Sequence, residues 1–334
     1  MDNQKILVTG SSGLIGGEVV KFFCLKGYEV HGIDNNMREV FFGPRGSTLS
    51  NLERIKSKHL NFKNYFADIR DRKAIYEIVE NIKPALIVHT AAQPSHDKAA
   101  EIPFLDFEVN ALGTLNLLEA ARNLCKESPF VHLSTNKVYG DNPNKLSVRK
   151  NKLRFELTKN EYINGIDEKM SIDNCVHSFF GVSKLSADLM VQEFGVNYGM
   201  NTVCFRAGCI TGSKHSGAKL HGFLSYLVKR CISEKKYTII GYNGNQVRDN
   251  IHSSDLVNCF WEYYKRPRVG EVYNTGGGRY SNCSILEALN FVQKKVGLKI
   301  KKKILRKNRI GDHIWYVSSM KKFKKHYPNW KQNY

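Results

Sequence analysis

The glycine-rich stretch near the amino terminus constrains the fold of this chain more than any other part of the sequence. An apolar strand pattern over residues 5–8 is followed by three glycines and then by a helix pattern over residues 15–26. Gly10 permits a tight turn, Gly13 permits close approach of the backbone to a pyrophosphate, and Gly16 permits close packing of helix on strand. This order of strand, glycine turn and helix predicts a dinucleotide-binding βα unit.

The start of that helix, at Leu14 and Ile15, offers N–H groups and the positive end of the helix dipole to a pyrophosphate. Asp34 lies 18 residues after Gly16, at the end of the second predicted strand. A carboxylate at this place accepts hydrogen bonds from ribose hydroxyls and repels a 2′-phosphate, so it favours NAD as the cofactor. Arg38 is a counter-argument, but we interpret it as a surface arginine.

Further cofactor contacts are expected at the ends of the second and third predicted strands. Asp68 and Ile69 follow the third strand, where they either frame the adenine ring or form an ordinary turn. The sequence does not decide between these two interpretations. The residues expected to bind NAD, apart from a lysine considered below, are Gly10, Gly13, Leu14, Ile15, Gly16, Asp34, Asn35, Asp68 and Ile69.

Apolar runs alternate with helix patterns through the first two thirds of the chain. Continuous runs such as 85–90 and 130–134 are typical of strands buried on both faces. The alternation predicts an α/β fold, a doubly wound parallel sheet of the Rossmann type. We expect residues 1–206 to form the NAD-binding domain. Residues 207–334 should form mainly a smaller substrate-binding lobe, with segments near 247–275 returning to the sheet.

The composition excludes several classes of protein. Hydrophobic residues make up 42% of the chain and charged residues 25%, as in ordinary globular proteins. The eight cysteines include no Cys-x-x-Cys pair and no Cys/His set at zinc spacing, so we expect reduced thiols and no metal site. The sequence opens without a signal-peptide pattern and has no apolar run of roughly 18 residues, which predicts a cytoplasmic protein without a membrane span.

The net charge of +20 suggests nucleic-acid binding at first sight. However, the sequence contains no recognition-helix motif, RNA-binding aromatic signature or zinc module. Much of the excess positive charge lies in a lysine-rich stretch after residue 293, far from the motifs that carry chemistry. We interpret this charge as solvated surface and expect no nucleic-acid partner.

A second set of motifs lies where the fifth predicted strand ends and a later helix begins. The strand ends at Thr135, and Lys184 lies one turn into the helix. A hydroxyl and a lysine placed in this way can converge over a nicotinamide at the edge of the sheet. The sequence therefore predicts a reacting centre beside the cofactor.

With these motifs the chain resembles the extended short-chain dehydrogenase/reductase superfamily over nearly its whole length. Within it, the stretches 134–141, 177–184 and 246–249 resemble the CDP-paratose (CDP-tyvelose) 2-epimerases. The resemblance implies an NAD-dependent enzyme acting on a nucleotide-activated sugar. It also implies that Thr135 binds the sugar oxygen that becomes a ketone, and that Lys184 binds the nicotinamide ribose.

Asn136 and Lys137 follow Thr135 at the position where related sugar 4,6-dehydratases carry an Asp-Glu pair. Elimination of water needs a general acid and a general base, which an amide and an ammonium do not supply in the same way. These residues favour redox epimerisation over dehydration. We expect Asn136 to contact the substrate and Lys137 to act in catalysis.

The chain departs from the superfamily at Phe180. The superfamily carries a tyrosine there, four positions before the motif lysine, and its phenol takes a proton as hydride leaves. Either another group is the base, with Lys137, His177, His96 or a water held by Thr135 as candidates, or the protein binds NAD and a nucleotide sugar without the full reaction.

Three basic residues are expected to bind the substrate. Arg248 suits the diphosphate because guanidinium binds phosphate oxygens in a fork, although a structural ion pair with Asp249 or Asp255 is the alternative. By resemblance, Arg206 lies where the sugar-nucleotide site begins, and His221 lies in the segment that closes over a pyrimidine nucleotide.

The function most consistent with these features is epimerisation at carbon 2 of a CDP-linked sugar for surface polysaccharide biosynthesis. Epimerisation at carbon 4 or reduction of a UDP-linked sugar remains an alternative, as does a binding protein with lost catalysis. Helix patterns at 111–125 and 183–198 carry apolar residues on more than one face. In the superfamily this pair forms a homodimer interface, although core packing would explain the same pattern.

Overall fold

A seven-stranded sheet in which all neighbouring strands are parallel lies at the centre of the molecule. The computed structural model describes residues 4–158, 161–212, 222–234, 236–305, 308 and 311–334. The strands in chain order are β1 (Lys5–Thr9), β2 (Glu29–Ile33), β3 (Phe62–Tyr65), β4 (Leu86–His89), β5 (Phe130–Thr135), β6 (Val148–Lys150), β7 (Phe155–Leu157), β8 (Thr202–Ala207), β9 (Cys209–Thr211), β10 (Lys236–Ile240), β11 (Val247–His252), β12 (Glu271–Thr275), β13 (Asn282–Ser284), β14 (Lys301–Leu305) and β15 (Trp315–Tyr316).

The order of strands in the large sheet is β12-β8-β5-β4-β1-β2-β3. The order reverses between β1 and β4, and in open α/β sheets ligands bind beyond the carboxyl ends of the strands at such a point. The strands are apolar because both faces are covered, and Leu7 and Val131 have no exposed surface. The predicted doubly wound parallel sheet is confirmed.

Helices cover both faces of this sheet. In chain order they are α1 (Leu14–Leu25), α2 (Met37–Phe42), α3 (Leu49–Lys58), α4 (Arg72–Ile82), α5 (His96–Glu101), α6 (Pro103–Phe107), α7 (Gly113–Leu124), α8 (Phe179–Tyr198), α9 (Phe223–Glu234), α10 (Ser253–Lys265), α11 (Ile285–Val296) and α12 (Lys321–His326). Helices α1, α10 and α12 share an apolar core on one face, and α4, α7 and α8 share a second core on the other. In the described ranges, no helix has the length and apolar character needed to cross a membrane.

A second lobe is built around β11, which pairs with β9, β13 and β15, while β10 pairs with β14. Leu157 and Ile166 pack with Val247 and Trp315 in its core, so chain from before residue 206 contributes to this lobe. In the segment 247–275, β12 joins the large sheet and α10 packs in the core on one face of it, whereas β11 stays in the second lobe.

Candidate active site

A cleft of about 1130 Å³ runs along the carboxyl ends of the parallel strands and continues onto the second lobe. It contains residues from both lobes, including Thr135 at the end of β5 and Arg248 of β11. Every residue predicted to bind the cofactor lines it: Gly10, Gly13, Leu14, Ile15, Gly16, Asp34, Asn35, Asp68, Ile69 and Lys184.

The turn between β1 and α1 depends on two of its glycines. Gly10 has a φ of +67°, and a Cβ there would lie 2.8 Å from the backbone nitrogen of Ala91. A Cβ at Gly16 would lie 2.1 Å from the carbonyl oxygen of Gly10, which accepts a hydrogen bond from the N–H of Gly13 at 3.0 Å. The turn thus brings the amino-terminal end of α1 to the cleft, where its dipole favours a phosphate.

Substitution of Gly16 by alanine should weaken NAD binding about 100-fold or more, equivalent to about 3 kcal/mol. The added Cβ would overlap a backbone oxygen that cannot move without opening the turn. Isothermal titration calorimetry with NAD measures the effect. The matched control is Gly27→Ala, at a glycine with φ +88° where, apart from chain neighbours, no atom of the described residues lies within 4 Å of an added Cβ. The control should lose about 1–2 kcal/mol of stability but no NAD affinity, and an unchanged affinity in the Gly16 variant would contradict this role of the turn.

One polar atom of the turn suits a phosphate directly. The Ser12 hydroxyl is buried and lines the cleft. It lies near enough to Asp34 to lower the pKa of that carboxyl, but it forms no hydrogen bond of good geometry with a described residue. A buried hydroxyl without a partner is costly, and a phosphate oxygen would accept its hydrogen bond. The residues of the turn therefore fit a bound dinucleotide.

Asp34 is fixed at the wall of the cleft by backbone groups. Its carboxylate accepts hydrogen bonds from the N–H of Ser12 at 2.9 Å and the N–H of Asn36 at 2.8 Å. Burial raises the pKa of Asp34, and these two donors oppose that rise. Next to it, the amide of Asn35 donates to Asp68 at 3.1 Å. Asp68 thus lines the cleft beside Asp34, and it also accepts hydrogen bonds from the N–H of Arg70 at 2.9 Å and from the Arg70 guanidinium at 2.8 Å, as in a turn at the end of a strand.

The contribution of α3 to this end of the cleft was not predicted from the sequence. Asn51 and Arg54 of α3 line the cleft, and Asn51 donates to the carbonyl oxygen of Ser12 at 2.7 Å. The available signal was the helical spacing of Leu52 and Ile55, which lie in the core beneath the helix.

The interpretation of Arg38 as a surface arginine was wrong. Arg38 lines the cleft near Asp34, and its guanidinium carbon lies 4.8 Å from the centre of the Phe42 ring. Burial lowers the pKa of this arginine. The cofactor end of the cleft therefore contains a cation as well as the carboxylate.

Thr135, Phe180 and Lys184 come together in the cleft as the sequence predicts. The Nζ of Lys184 donates to the carbonyl oxygen of Leu133 at 2.9 Å and lies 3.4 Å from Nε2 of His132. Burial lowers the pKa of Lys184 to about 8, although nearby carboxylates oppose this. A buried lysine with this pKa is a feature of functional sites.

Lys137, Asn136 and Arg248 also line the cleft. The Nζ of Lys137 donates to the carbonyl oxygen of Gly311 at 3.0 Å and lies 3.8 Å from Asp312, which also binds the guanidinium of Arg248. Burial alone would raise the pKa of Asp312, but Arg248 and Lys137 outweigh burial and hold that pKa well below its usual range. Arg248 thus forms its ion pair with Asp312, and not with Asp249 or Asp255, the two carboxylates considered from the sequence.

The structure corrects the assignment of Arg206 to substrate binding. Its side chain does not line the cleft and donates to both carboxylate oxygens of Asp188, at 2.7 and 3.1 Å, and to the Tyr139 hydroxyl at 3.1 Å. Burial would lower the pKa of Arg206, but Asp188 outweighs burial and raises it. Arg206 therefore forms an interior ion pair. His221, the remaining predicted substrate residue, lies outside the described residues.

The chain is similar in sequence and in fold to several known proteins. CDP-paratose 2-epimerase of Salmonella typhi is 30% identical over 297 residues, which cover 87% of this chain and 84% of that protein. Pal from Bacillus thuringiensis has a TM-score of 0.81 at 24% identity, covering 99% of this chain and 95% of that structure. The structure of UDP-glucose 4-epimerase of Thermus thermophilus in complex with NAD has a TM-score of 0.78 at 24% identity. The match covers 99% of this chain and 94% of that structure.

The family comparison extends from the first strand to the end of β12. Residues 6–276 match the NAD dependent epimerase/dehydratase family, and this stretch includes the glycine turn, Asp34, Thr135, Lys184 and Arg248. The match spans more than half of the chain, and the predicted superfamily and cofactor are confirmed. The chain therefore belongs to the NAD dependent epimerase/dehydratase family and is an enzyme whose cofactor is NAD.

Proposed function

We propose that this enzyme epimerises a CDP-linked sugar at carbon 2 by transient oxidation to a keto sugar. The observation that carries the proposal is that one cleft joins the glycine turn, the pair Thr135 and Lys184, and Arg248. The likeness to a CDP-paratose 2-epimerase supports the choice of base and carbon. The product would serve surface polysaccharide biosynthesis.

The residues of the first lobe would bind the cofactor along the sheet edge. The turn at Gly10 and Gly13 would bind the pyrophosphate, Asp34 the adenosine ribose, and Lys184 the nicotinamide ribose. NAD, when bound, would supply the chemistry by taking a hydride from the sugar and returning it to the opposite face. Thr135 would donate a hydrogen bond to the sugar oxygen that becomes the ketone.

The residues after Thr135 support epimerisation over dehydration. Asn136 and Lys137 line the cleft where an acid pair would be needed to eliminate water. The carboxylate of Asp312 stabilises the charged form of the Lys137 ammonium, which can stabilise negative charge on the sugar oxygen. Arg248 would bind the diphosphate beside it.

We also propose that the enzyme is a cytoplasmic homodimer. Leu112 and Leu189 remain exposed near the start of α7 and on α8, respectively. Exposed apolar side chains on the pair of helices α7 and α8 support an interface between two copies of the chain. Sedimentation equilibrium of the wild type and of Leu189→Glu tests it, and a wild type that sediments as a monomer would overturn it.

Incubation of the purified enzyme and NAD with a panel of CDP- and UDP-sugars, followed by proton NMR, tests the reaction. We expect inversion at carbon 2 of a CDP-sugar, and a deuterium placed at that carbon should be retained because the hydride returns to the carbon it left. Inversion at carbon 4 of a UDP-sugar would replace the proposed reaction. A mixture of the tested sugars without enzyme is the control.

Phe180 favours one second candidate, a protein that binds NAD and a nucleotide sugar without turnover. Its ring is buried and lies in the cleft, at the position where the superfamily has a phenol. Tight binding of a CDP-sugar without conversion of any sugar in the panel would support this candidate. Gain of activity by Phe180→Tyr from a silent parent would then show that the missing phenol is the defect.

A further inference from the structure

An imidazole lies against the ring that replaces the expected phenol. His96, the first residue of α5, lines the cleft together with Thr135, Phe180 and Lys184. The ring centres of His96 and Phe180 are 4.8 Å apart, with an angle of 51° between the ring planes. A titratable side chain therefore lies next to the position from which a tyrosine would act.

The His96 ring is oriented by the residue that caps α8. Nδ1 of His96 lies 2.9 Å from the hydroxyl oxygen of Ser178, which also accepts a hydrogen bond from the N–H of Gly181 at 3.1 Å. A hydroxyl oxygen has two lone pairs, so it can accept from Gly181 and from Nδ1–H of His96 together. The Ser178 hydroxyl can also donate to Nδ1, so the distance fits both neutral tautomers. In the tautomer with the proton on Nδ1, the buried Nε2 is the basic nitrogen.

The second lobe fixes the same imidazole from its other side. A Cβ at Gly311 would lie 3.3 Å from Cβ of Ser178 and 3.5 Å from Cε1 of His96, so the backbone at Gly311 packs directly on this pair. The Gly311 carbonyl oxygen accepts the hydrogen bond from Lys137. His96 packs against Gly311 and Lys137 donates to its carbonyl oxygen, so one glycine before β15 contacts both side chains.

Two of the other proton acceptors considered from the sequence, Lys137 and His177, are less suitable. The Lys137 ammonium faces the Asp312 carboxylate, which stabilises its protonated form. Nε2 of His177 lies 2.8 Å from the carbonyl oxygen of Val138. A carbonyl oxygen only accepts hydrogen bonds, so this nitrogen donates and carries a proton. In addition, His177 does not line the cleft.

Two more groups near the motif have other partners. The Tyr139 hydroxyl is fully buried, donates to Asn274 at 2.8 Å, and has a pKa raised to about 12 by burial. Lys184 donates to the carbonyl oxygen of Leu133, and with a pKa of about 8 its amine is mostly protonated at pH 7. His96 is the candidate that combines contact with Phe180, a place in the cleft and an orienting hydrogen bond.

We propose that His96 is the catalytic residue that replaces the missing tyrosine in the reaction proposed above, on which this inference rests. As the sugar carbon gives up its hydrogen as hydride to NAD, the O–H bond of the sugar hydroxyl breaks and its proton forms a bond to Nε2 of His96. The carbon–oxygen bond becomes a carbonyl. When hydride returns to the opposite face, the proton moves back from Nε2 to the oxygen, so His96 and NAD are both regenerated.

His96→Gln tests this role by turnover. We expect kcat to fall by about 10²- to 10⁴-fold, the usual contribution of general acid–base catalysis, with CDP affinity unchanged. The double variant His96→Gln with Phe180→Tyr should regain at least about 10-fold of the lost rate, because the phenol supplies another acceptor. The matched control is His59→Gln, at a histidine following α3 that does not line the cleft, and it should keep wild-type rates.

Two outcomes of these assays would overturn the proposal. One is a His96→Gln variant with kcat within about threefold of the wild type. The other is an inactive His96→Gln variant that the added tyrosine does not rescue and whose His96→Gly counterpart does not respond to imidazole. That second pattern would assign His96 a role in folding and not in proton transfer.

Histidine NMR gives a readout that needs no turnover. The His96 ring signal, identified by its loss in His96→Gln, should shift when a CDP-sugar binds and stay unchanged when CDP alone binds. An unshifted signal with bound CDP-sugar would overturn the contact. A shifted signal without conversion of any sugar would support the contact while the proposed function fails, so the two failures are distinguishable.

Discussion

Replacement of Lys184 by methionine should abolish turnover and at the same time raise the free energy of unfolding of the cofactor-free protein by about 2 kcal/mol at pH 7. Lys184 is 3% exposed, and burial lowers its pKa from 10.5 to about 8. Keeping the ammonium in the interior at pH 7 therefore costs about 3 kcal/mol. Methionine removes this cost, and loss of the hydrogen bond to Leu133 offsets about 1 kcal/mol of the gain. Urea unfolding of both proteins measures the difference.

The pH dependence of the difference in the free energy of unfolding between wild type and Lys184→Met distinguishes an effect of the lysine charge from an effect of side-chain packing. Below pH 8 the lysine is protonated in the folded and unfolded states, so the full cost is present. Between pH 8 and 10.5 the unfolded state binds more protons, so wild-type stability rises relative to the variant and the gap narrows. The control is Lys265→Met, at a half-exposed lysine paired with Glu262, where a change within about 0.5 kcal/mol is expected. The proposed cost of burying the Lys184 ammonium would be contradicted by a difference in stability that does not change with pH. It would also be contradicted by a Lys184→Met protein that is less stable than the wild type at pH 7.

The cofactor half of the site could be predicted because its signals are local in sequence. Gly10 and Gly16 act through the geometry of one turn, and Asp34 lies at the end of the next strand, so spacing alone places them. Thr135 and Lys184 could be placed in the same way, as the end of a buried strand and a residue one turn into a helix. The parallel sheet then brings these carboxyl-terminal ends to one edge.

The remaining assignments depend on contacts between segments that are distant in sequence. An arginine at the end of a strand looks the same whether it meets a phosphate or a carboxylate, and only the packing of α8 shows that Arg206 meets Asp188. The pairing of Arg248 with Asp312 depends on a segment without helical or strand periodicity. The contact of His96 with Phe180 joins the start of α5 to the start of α8. None of these pairs has a spacing that a sequence pattern could show.

Removal of the Asp188 carboxylate should destabilise the protein by about 3–5 kcal/mol, the usual effect of leaving a buried charge without its partner. In Asp188→Ala the guanidinium of Arg206, whose side chain is 6% exposed, would lose both of its carboxylate hydrogen bonds. Ser134 would lose the acceptor of its hydroxyl in the same step. Urea unfolding measures the loss, and Glu101→Gln, which removes an exposed ion pair with Lys98, should cost no more than about 1 kcal/mol.

A comparison of two arginine variants tests the corrected role of Arg206 independently. Arg206→Met should lower the free energy of unfolding but leave the affinity for CDP unchanged, because the side chain does not line the cleft. Arg248→Met should weaken CDP binding, because its guanidinium lies in the cleft wall and would bind the diphosphate. The double variant Asp188→Leu with Arg206→Met should be more stable than Asp188→Ala, since it does not leave the Arg206 guanidinium buried without its carboxylate. An Arg206→Met protein that keeps its stability but loses affinity for CDP would show that Arg206 binds the substrate. An interior ion pair predicts the opposite result, namely lower stability and unchanged affinity for CDP.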